Sequence, residues 1–360
     1  MEKIKRFITC HIPVSVCNFR CQYCYLHSIK KKEVKLFILE PHVLANKLSV
    51  ERLGGICYFN LCADGETMIH PQLIDLIKEL TNMGHYVDII TNGVLTEKFD
   101  KLLKELDSNQ QKNLMIKFSF HYLELKRTGL LDMFVSNVKK ISISNISYSI
   151  EITPHDELIA YIDEIKSFSI ENFGAYPHIT VARDADTRNI EVLTKLSRED
   201  YKKTWGEFES AMFNFKLSTF NCKRNEFCYA GDWSLKLDLG SGEYRQCYVG
   251  ATLGNICDDA PIKFKAIGRC QLPHCFNGHA FLALGNIPDL SSPTYAEERD
   301  RITKDGEHWL KSECREFFST KLYNTNTQYT NKLKRKCNID TKKYNIKVKI
   351  NRLIKRLKNE

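Results

Sequence analysis

The chain has 360 residues, 43% hydrophobic and 27% charged, with a formal net charge of +9. That is a globular composition, and it contains no run of about eighteen apolar residues of the kind that spans a membrane. Residues 321–360 hold 13 of the 53 Lys and Arg but 2 of the 44 Asp and Glu, so a basic tail follows a nearly neutral body, which argues against a protein built throughout to bind nucleic acid.

The N-terminus, MEKIKRFITCHIPVSVC, has no long apolar core and no small-residue cleavage site, so no signal peptide is read there. Without an export signal, the 14 cysteines point to reduced thiols or metal ligands in a cytoplasmic protein and not to a disulfide framework.

Strand-like and helix-like stretches alternate. RFITCHIPVS reads as a first strand, EPHVLANKLSVERLGG as a helix closed by glycine, and GICYFNLC as a second strand. HPQLIDLIKELTNMG is an amphipathic helix with Leu73, Ile74, Ile77 and Leu80 on one stripe. HYVDIITNG, LTEKFDKLLKEL, LMIKFSFH, LLDMFVSNVKKI, ISYSIEIT and HDELIAYIDEIKSF continue the alternation; PHITVARD is the sixth strand and SREDYKKTWGEFESAMFNF the sixth helix. Six βα repeats predict an α/β fold, a parallel sheet with helices outside, open or barrel-like. Chemistry in such folds gathers at the C-terminal ends of the strands. The unusual residues fall there: Cys17, Cys21 and Cys24 after the first strand, CADGET (62–67) after the second, Thr91-Asn92-Gly93 after the third, Ser119 to His121 after the fourth, Glu151 to His155 after the fifth, and Arg183-Asp184 after the sixth.

A closed structural zinc site takes four ligands. Three thiols suit a [4Fe–4S] cluster that leaves one iron open; a partial zinc site or three core thiols is the plainer alternative. The CxxxCxxC pattern after the first strand, with Tyr23 just before its last cysteine, resembles the radical S-adenosylmethionine (SAM) enzymes. The resemblance implies a partial (β/α)6 barrel, with SAM chelated at the open iron. It also implies reductive cleavage to a 5′-deoxyadenosyl radical that takes hydrogen from a substrate, fed by an external flavodoxin- or ferredoxin-like donor. Ala63-Asp64-Gly65-Glu66-Thr67 stands where the family has GGEP. Glu66 keeps the carboxylate expected to receive the SAM ammonium, whereas Asp64 and Thr67 alter the loop. By the same resemblance Tyr23, Gly65, Glu66, Thr91, Asn92, Ser119, Glu151 and Arg183 surround SAM. Ser119 reads equally as a strand-end cap, and Glu151 and Arg183 as substrate contacts or salt-bridge partners. His121, Asp156 and Asp184 are the acid–base candidates on the rim.

Downstream, Cys228, thirteen residues, Gly242, four residues and Cys247 resemble the signature of twitch and SPASM extensions, and WSLKLDLGSGEYRQCYV between them has the alternation of a β-hairpin. The resemblance implies one auxiliary [4Fe–4S] cluster. Cys222, Cys228, Cys247, Cys270 and Cys275 compete for four positions, with Cys222 and Cys275 undecided; a zinc ribbon is the alternative. Cys10 and Cys57 read as core residues, and Cys62 as a rim thiol without a partner. The expected organisation is a partial barrel over 1–215, a twitch/SPASM-like unit over 216–290, a helical or linker segment over 291–330 and a basic tail over 331–360. In that tail Ile346, Ile350, Leu353, Ile354 and Leu357 recur with helical period among Lys and Arg. Residues 341–358 would pack on the body, lie on an anionic membrane surface or meet an acidic partner.

The cluster motif begins at residue 17, which leaves no room before it for a peptide-recognition domain of roughly 80 residues. The reading therefore leans to oxidation or rearrangement of a polar metabolite or sugar-type substrate. A peptide or protein maturase, and a zinc or iron–sulfur protein without SAM chemistry, are the alternatives.

Overall fold

The structure, a computed structural model, describes residues 2–24, 32–184 and 190–357. Six strands, β1 (Arg6–Ile12), β2 (Cys57–Ala63), β3 (Tyr86–Thr91), β4 (Leu114–Ser119), β5 (Ser147–Ile152) and β6 (His178–Ile179), lie parallel and adjacent in chain order. Each crossover carries helix, as the alternating pattern requires. The sheet is open at β6, so the fold is a partial barrel.

Helix boundaries depart from the periodic pattern where a side chain caps. The first expected helix breaks into Pro41–Lys47 and Val50–Leu53, because the Ser49 side chain accepts from the Arg52 backbone and starts a new turn. The sixth breaks into Arg198–Gly206 and Ala211–Thr219 around Glu209, which sits at a φ of 50°. The sixth strand is short. Arg183–Asp184 (β7) leaves the main sheet to pair with Glu191–Val192 (β8).

The later chain does not stand apart from the barrel. After β9 (Phe227–Cys228), β10 (Ser234–Asp238) pairs in parallel with β1, and β11 (Glu243–Arg245) and β12 (Thr252–Asn255) follow as antiparallel neighbours, giving nine strands in one sheet. The expected hairpin is β10–β11. A short β13 (Gly268–Arg269) pairs with β9.

Alternation along the strands assigns two faces. Ile8, Cys10, Phe59, Leu61, Val87, Ile89, Ile116 and Ile150 join the main core with helix residues such as Leu44, Leu73, Ile77, Phe99 and Phe134. On the other, concave face Phe7, Tyr58, Tyr86 and Met115 join a second core with Phe281, Tyr295, Phe317, Phe318 and Leu322. The segment after residue 278 therefore closes the floor of the partial barrel. The stretch read as a polar linker is part of this floor: Thr325 donates to the Ile4 carbonyl, Asn326 donates to the Lys5 carbonyl at 2.8 Å, and Tyr329 donates to Asp232 at 2.6 Å. Its polar residues serve as bonding groups for backbone the sheet leaves unpaired.

Above the aromatic floor lies a buried polar layer. Asn60 Nδ2 donates to Asp88 Oδ1 at 2.6 Å, Lys117 Nζ lies 2.6 Å from Asp88 Oδ2, and the Tyr58 hydroxyl donates to the same carboxylate. Asp88 is fully buried, and burial of its partner Lys117 is outweighed by the carboxylate, so the ammonium stays charged. Removing one member of such a pair strands the other. Lys117→Met is expected to lower stability by about 3 kcal/mol in urea unfolding. Adding Asp88→Asn should restore about 1 kcal/mol or more, since the uncompensated charge is then gone; equal loss in both proteins would show that the pair does not act as a unit.

Candidate functional site

The loop leaving β1 carries Cys17, Cys21 and Cys24, and the three thiols line one cavity over the strand ends with Tyr23, Gly65, Glu66, Thr91, Asn92, Ser119 and His121. Residues from the loops after β1, β2, β3 and β4 thus meet in one place. Locally the cysteine loop is held by Phe19 N donating to Cys17 Sγ at 3.4 Å, Cys24 N to the Cys21 carbonyl at 3.1 Å and Arg20 N to Glu124 at 3.0 Å.

Glu66 is the tie between loops. Its Oε1 accepts from Met68 N at 2.9 Å and from the Thr91 hydroxyl at 2.7 Å, and its Oε2 accepts from Asn92 N at 2.7 Å. The side chain is buried, which raises its carboxyl pKa against the pull of the three donors. Oε2, with one donor, keeps a lone pair for another. Glu66 N in turn donates to the Val16 carbonyl at 2.9 Å. A Cβ on Gly65 would fall 2.2 Å from that carbonyl oxygen, so only glycine permits the approach. The altered residues around it have their own partners: the Thr67 hydroxyl accepts from Ala63 N at 3.3 Å, and Asp64 turns to His11.

Tyr23 forms part of the cavity wall. Its ring stacks on His155 with centroids 4.1 Å apart, and its hydroxyl meets His121 Nδ1 at 2.5 Å. Burial lowers both histidines to about 4 and raises the Tyr23 phenol, so this is a neutral hydrogen bond at neutral pH. Burial also raises Cys17, and Cys21 to about 12. Cys17 and Cys21 therefore hold their protons at neutral pH, and metal binding would have to displace them. Asn92 Nδ2 donates to Asn18 Oδ1 at 2.6 Å, joining the third-strand loop to the cysteine loop.

Other candidates lie elsewhere. Glu151 pairs with Arg299 at 3.5 Å and accepts from Ser149 at 3.1 Å within the barrel. The Arg183 guanidinium donates to the Phe276 carbonyl at 3.3 Å. Asp156 and Asp184 line a separate, neighbouring cavity, where Asp156 accepts from the Thr194 hydroxyl at 2.6 Å and Lys195 N at 2.7 Å. Of the three acid–base candidates, His121 alone lines the first cavity, with the three thiols.

A second cavity is lined by Cys228, Cys247, Cys270 and Cys275, brought together by β9, the β11 end, β13 and the loop after it. Cys222 is outside this lining, its thiol 3.2 Å from the Ser218 carbonyl. Burial raises the Cys275 thiol, and the neighbouring Cys247, Cys228 and Cys270 raise it further. Among the described residues no three His, Cys, Asp or Glu side chains converge tightly enough to hold a single metal ion; the thiols ring a cavity instead.

Residues 11–168 match the model of the Radical SAM superfamily. Over that stretch the chain is similar to this superfamily. Two curated relatives are the GTP 3′,8-cyclase of Alkaliphilus metalliredigens, 26% identical over 184 residues, and a tungsten-containing aldehyde ferredoxin oxidoreductase cofactor-modifying protein of Pyrococcus furiosus, 32% identical over 98. These matches cover 49% and 26% of this chain, and 53% and 25% of the relatives, so the chain matches about half or less of their length. The solved structure of Streptococcus suis SuiB bound to S-adenosylmethionine superposes with a TM-score of 0.51 at 14% identity, over 71% of this chain and 64% of SuiB; that likeness is one of fold.

The donor set in the matched stretch fits the cofactor expected from the resemblance, since three thiols on one loop are suitable soft ligands for an iron–sulfur cluster. Sequence reasoning passed over His11. Its Nδ1 lies 2.8 Å from Asp238 of β10 and its Nε2 3.3 Å from Asp64, so one imidazolium brackets the altered loop against the added strands. The signal was Asp64 itself, a charge where the family has glycine. Glu33 and Lys35 line the same hollow, and Lys236 bears on Asp64. The two carboxylates raise His11 from 6.5 to about 9. Its contribution is therefore complete below pH 6.5 and lost as pH rises through about 9. Partly exposed as these groups are, roughly 1–2 kcal/mol is at stake. Thermal unfolding between pH 6 and pH 10 should show that decline, and His11→Gln should flatten it; an unchanged slope in the variant would remove His11 as its cause.

Proposed function

We propose that this chain is an enzyme that takes hydrogen from a C–H bond of a polar metabolite or sugar-type substrate. It would use SAM at a [4Fe–4S] cluster held by Cys17, Cys21 and Cys24. The observation that carries this reading is the shared cavity, in which the three thiols meet Glu66, Thr91 and Asn92. When bound, the cluster and SAM supply one-electron cleavage and with it a hydrogen-abstracting radical. The chain's own part is placement: Glu66 Oε2 offers an acceptor to the SAM ammonium, the Tyr23–His155 stack walls off water, and Gly65 sets the distance between loops. An external flavodoxin- or ferredoxin-like carrier delivers the electron.

Polar side chains around Tyr248, at the edge of the second cavity, support a polar substrate. Lys236 Nζ lies 4.6 Å from the Tyr248 ring centre, and Asn277 Nδ2 lies 3.4 Å from its hydroxyl. Tyr248 lines the second cavity, and burial together with the Cys62 and Cys247 thiols raises its phenol to about 12. The name of one relative, GTP 3′,8-cyclase, points in the same direction. In this reading Cys228, Cys247, Cys270 and Cys275 hold one auxiliary [4Fe–4S] cluster, and Cys222 is the spare thiol.

Anaerobic reconstitution should give about eight irons and eight sulfides per chain. Cys275→Ala should bring both to about four, and Cys222→Ala should leave them unchanged; the reverse pattern would exchange the two cysteines, and zinc without sulfide would overturn both cluster assignments. With dithionite and SAM the protein should form 5′-deoxyadenosine, and Cys17→Ala should abolish it. Deuterium should pass into that product from a labelled sugar or nucleotide; transfer from a peptide would establish the maturase reading instead, and no 5′-deoxyadenosine would overturn the enzyme.

A further inference from the structure

Helix Asn331–Leu357 meets the body through its first half. Cys337 is buried, Asn338 Oδ1 accepts from Arg269 N at 2.8 Å, Asp340 pairs with Lys265 at 2.9 Å and the Thr341 hydroxyl donates to the Ile267 carbonyl at 2.6 Å. These contacts clamp the helix on β13, beside Cys270. Beyond Thr341 the character changes. Ile346, Ile350, Leu353 and Ile354 are 49%, 49%, 59% and 45% exposed, at spacings that put them on one face. Lys342, Lys343, Lys347 and Lys349 are exposed around them. From Thr341 to Leu357 the sequence has 7 Lys and Arg and no Asp or Glu. Of the segment 341–358 expected to pack on the body, Thr341 bonds to it, whereas Ile346, Ile350, Leu353 and Ile354 stay exposed, and Lys358 lies outside the described residues.

An apolar stripe with basic flanks needs a cover that is apolar in depth and anionic at its surface. A second copy of the chain fits badly: Ile346, Ile350 and Leu353 would make a two-helix seam, but Lys347 and Lys349 beside it would face like charges. An acidic protein matches the lysines and leaves the width of the stripe, broadened by Ile354, unused. We propose that residues 342–357 lie on an anionic membrane surface, with Ile346, Ile350, Leu353 and Ile354 at the boundary of headgroups and acyl chains and the lysines on lipid phosphates. Among the described residues no helix is long and apolar enough to cross a membrane, so the contact is interfacial. The anchored first half would hold the β13 side of the protein towards the lipid. This inference stands apart from the catalytic reading, because neither cluster is needed for it.

Flotation of the reconstituted full chain with vesicles tests it. The protein should float with phosphatidylcholine vesicles containing about 30% phosphatidylglycerol and not with phosphatidylcholine alone, less so as salt rises. Ile350→Asp with Leu353→Asp should lower the bound fraction at least tenfold while iron content stays unchanged, which separates lost binding from lost folding. Absence of flotation with anionic vesicles would overturn the proposal. So would equal flotation of the variant, a wild-type dimer in light scattering that the variant loses, or binding to an acidic polypeptide but not to lipid.

Discussion

The Glu66 carboxylate is the constraint on which the site depends. Three donors from the turn after β2 and the loop after β3 converge on it, and its own backbone N–H reaches Val16 just before Cys17. A buried carboxylate left without those bonds would be expensive, so the loops have little freedom to separate. The consequence is geometric: the cysteine loop is carried to the place where the second and third strand loops already meet. Gly65 makes the approach sterically possible, and Asn92 adds a further bond to Asn18.

The second organising element is the filled concave face. A partial barrel leaves one side of its sheet uncovered, and here Phe281, Tyr295, Phe317 and Phe318 close it from below. The polar layer of Asn60, Asp88 and Lys117 lies above them, paired and buried. The first cavity lies at the upper rim, where the thiols, Cys62 and Ser119 line it. Strands β10 to β12 extend the same sheet past β1 and bring Asp238 to His11. The large sheet carries Cys247 just past β11 to the second cavity, and the separate β9–β13 pair supplies Cys228 and, just past β13, Cys270.

Local pattern was legible where it governs structure locally. The alternation that places β1 to β5, the stripe of helix Leu73–Asn82 and the β10–β11 hairpin follow from apolar spacing and turn residues. Capping was less visible: Ser49 and Glu209 split expected helices because short-range bonding and backbone conformation override periodicity. The polar stretch near Asn326 looked like a linker because its partners, the carbonyls of Ile4 and Lys5, lie more than 300 residues away.

By itself the sequence determined the chemistry-bearing set: three thiols at spacings of four and three, the carboxylate at Glu66, and a later group of cysteines. Spacing suffices there because the first three thiols share one loop. Tertiary structure decided everything that joins distant loops. It put Cys275 and not Cys222 in the second cavity, assigned Glu66 to hold the rim together, and turned Asp64 to a histidine shared with Asp238. It also sent Glu151 to Arg299. Each of these outcomes depends on which strand ends become neighbours, a property of the folded sheet and of no local stretch of chain.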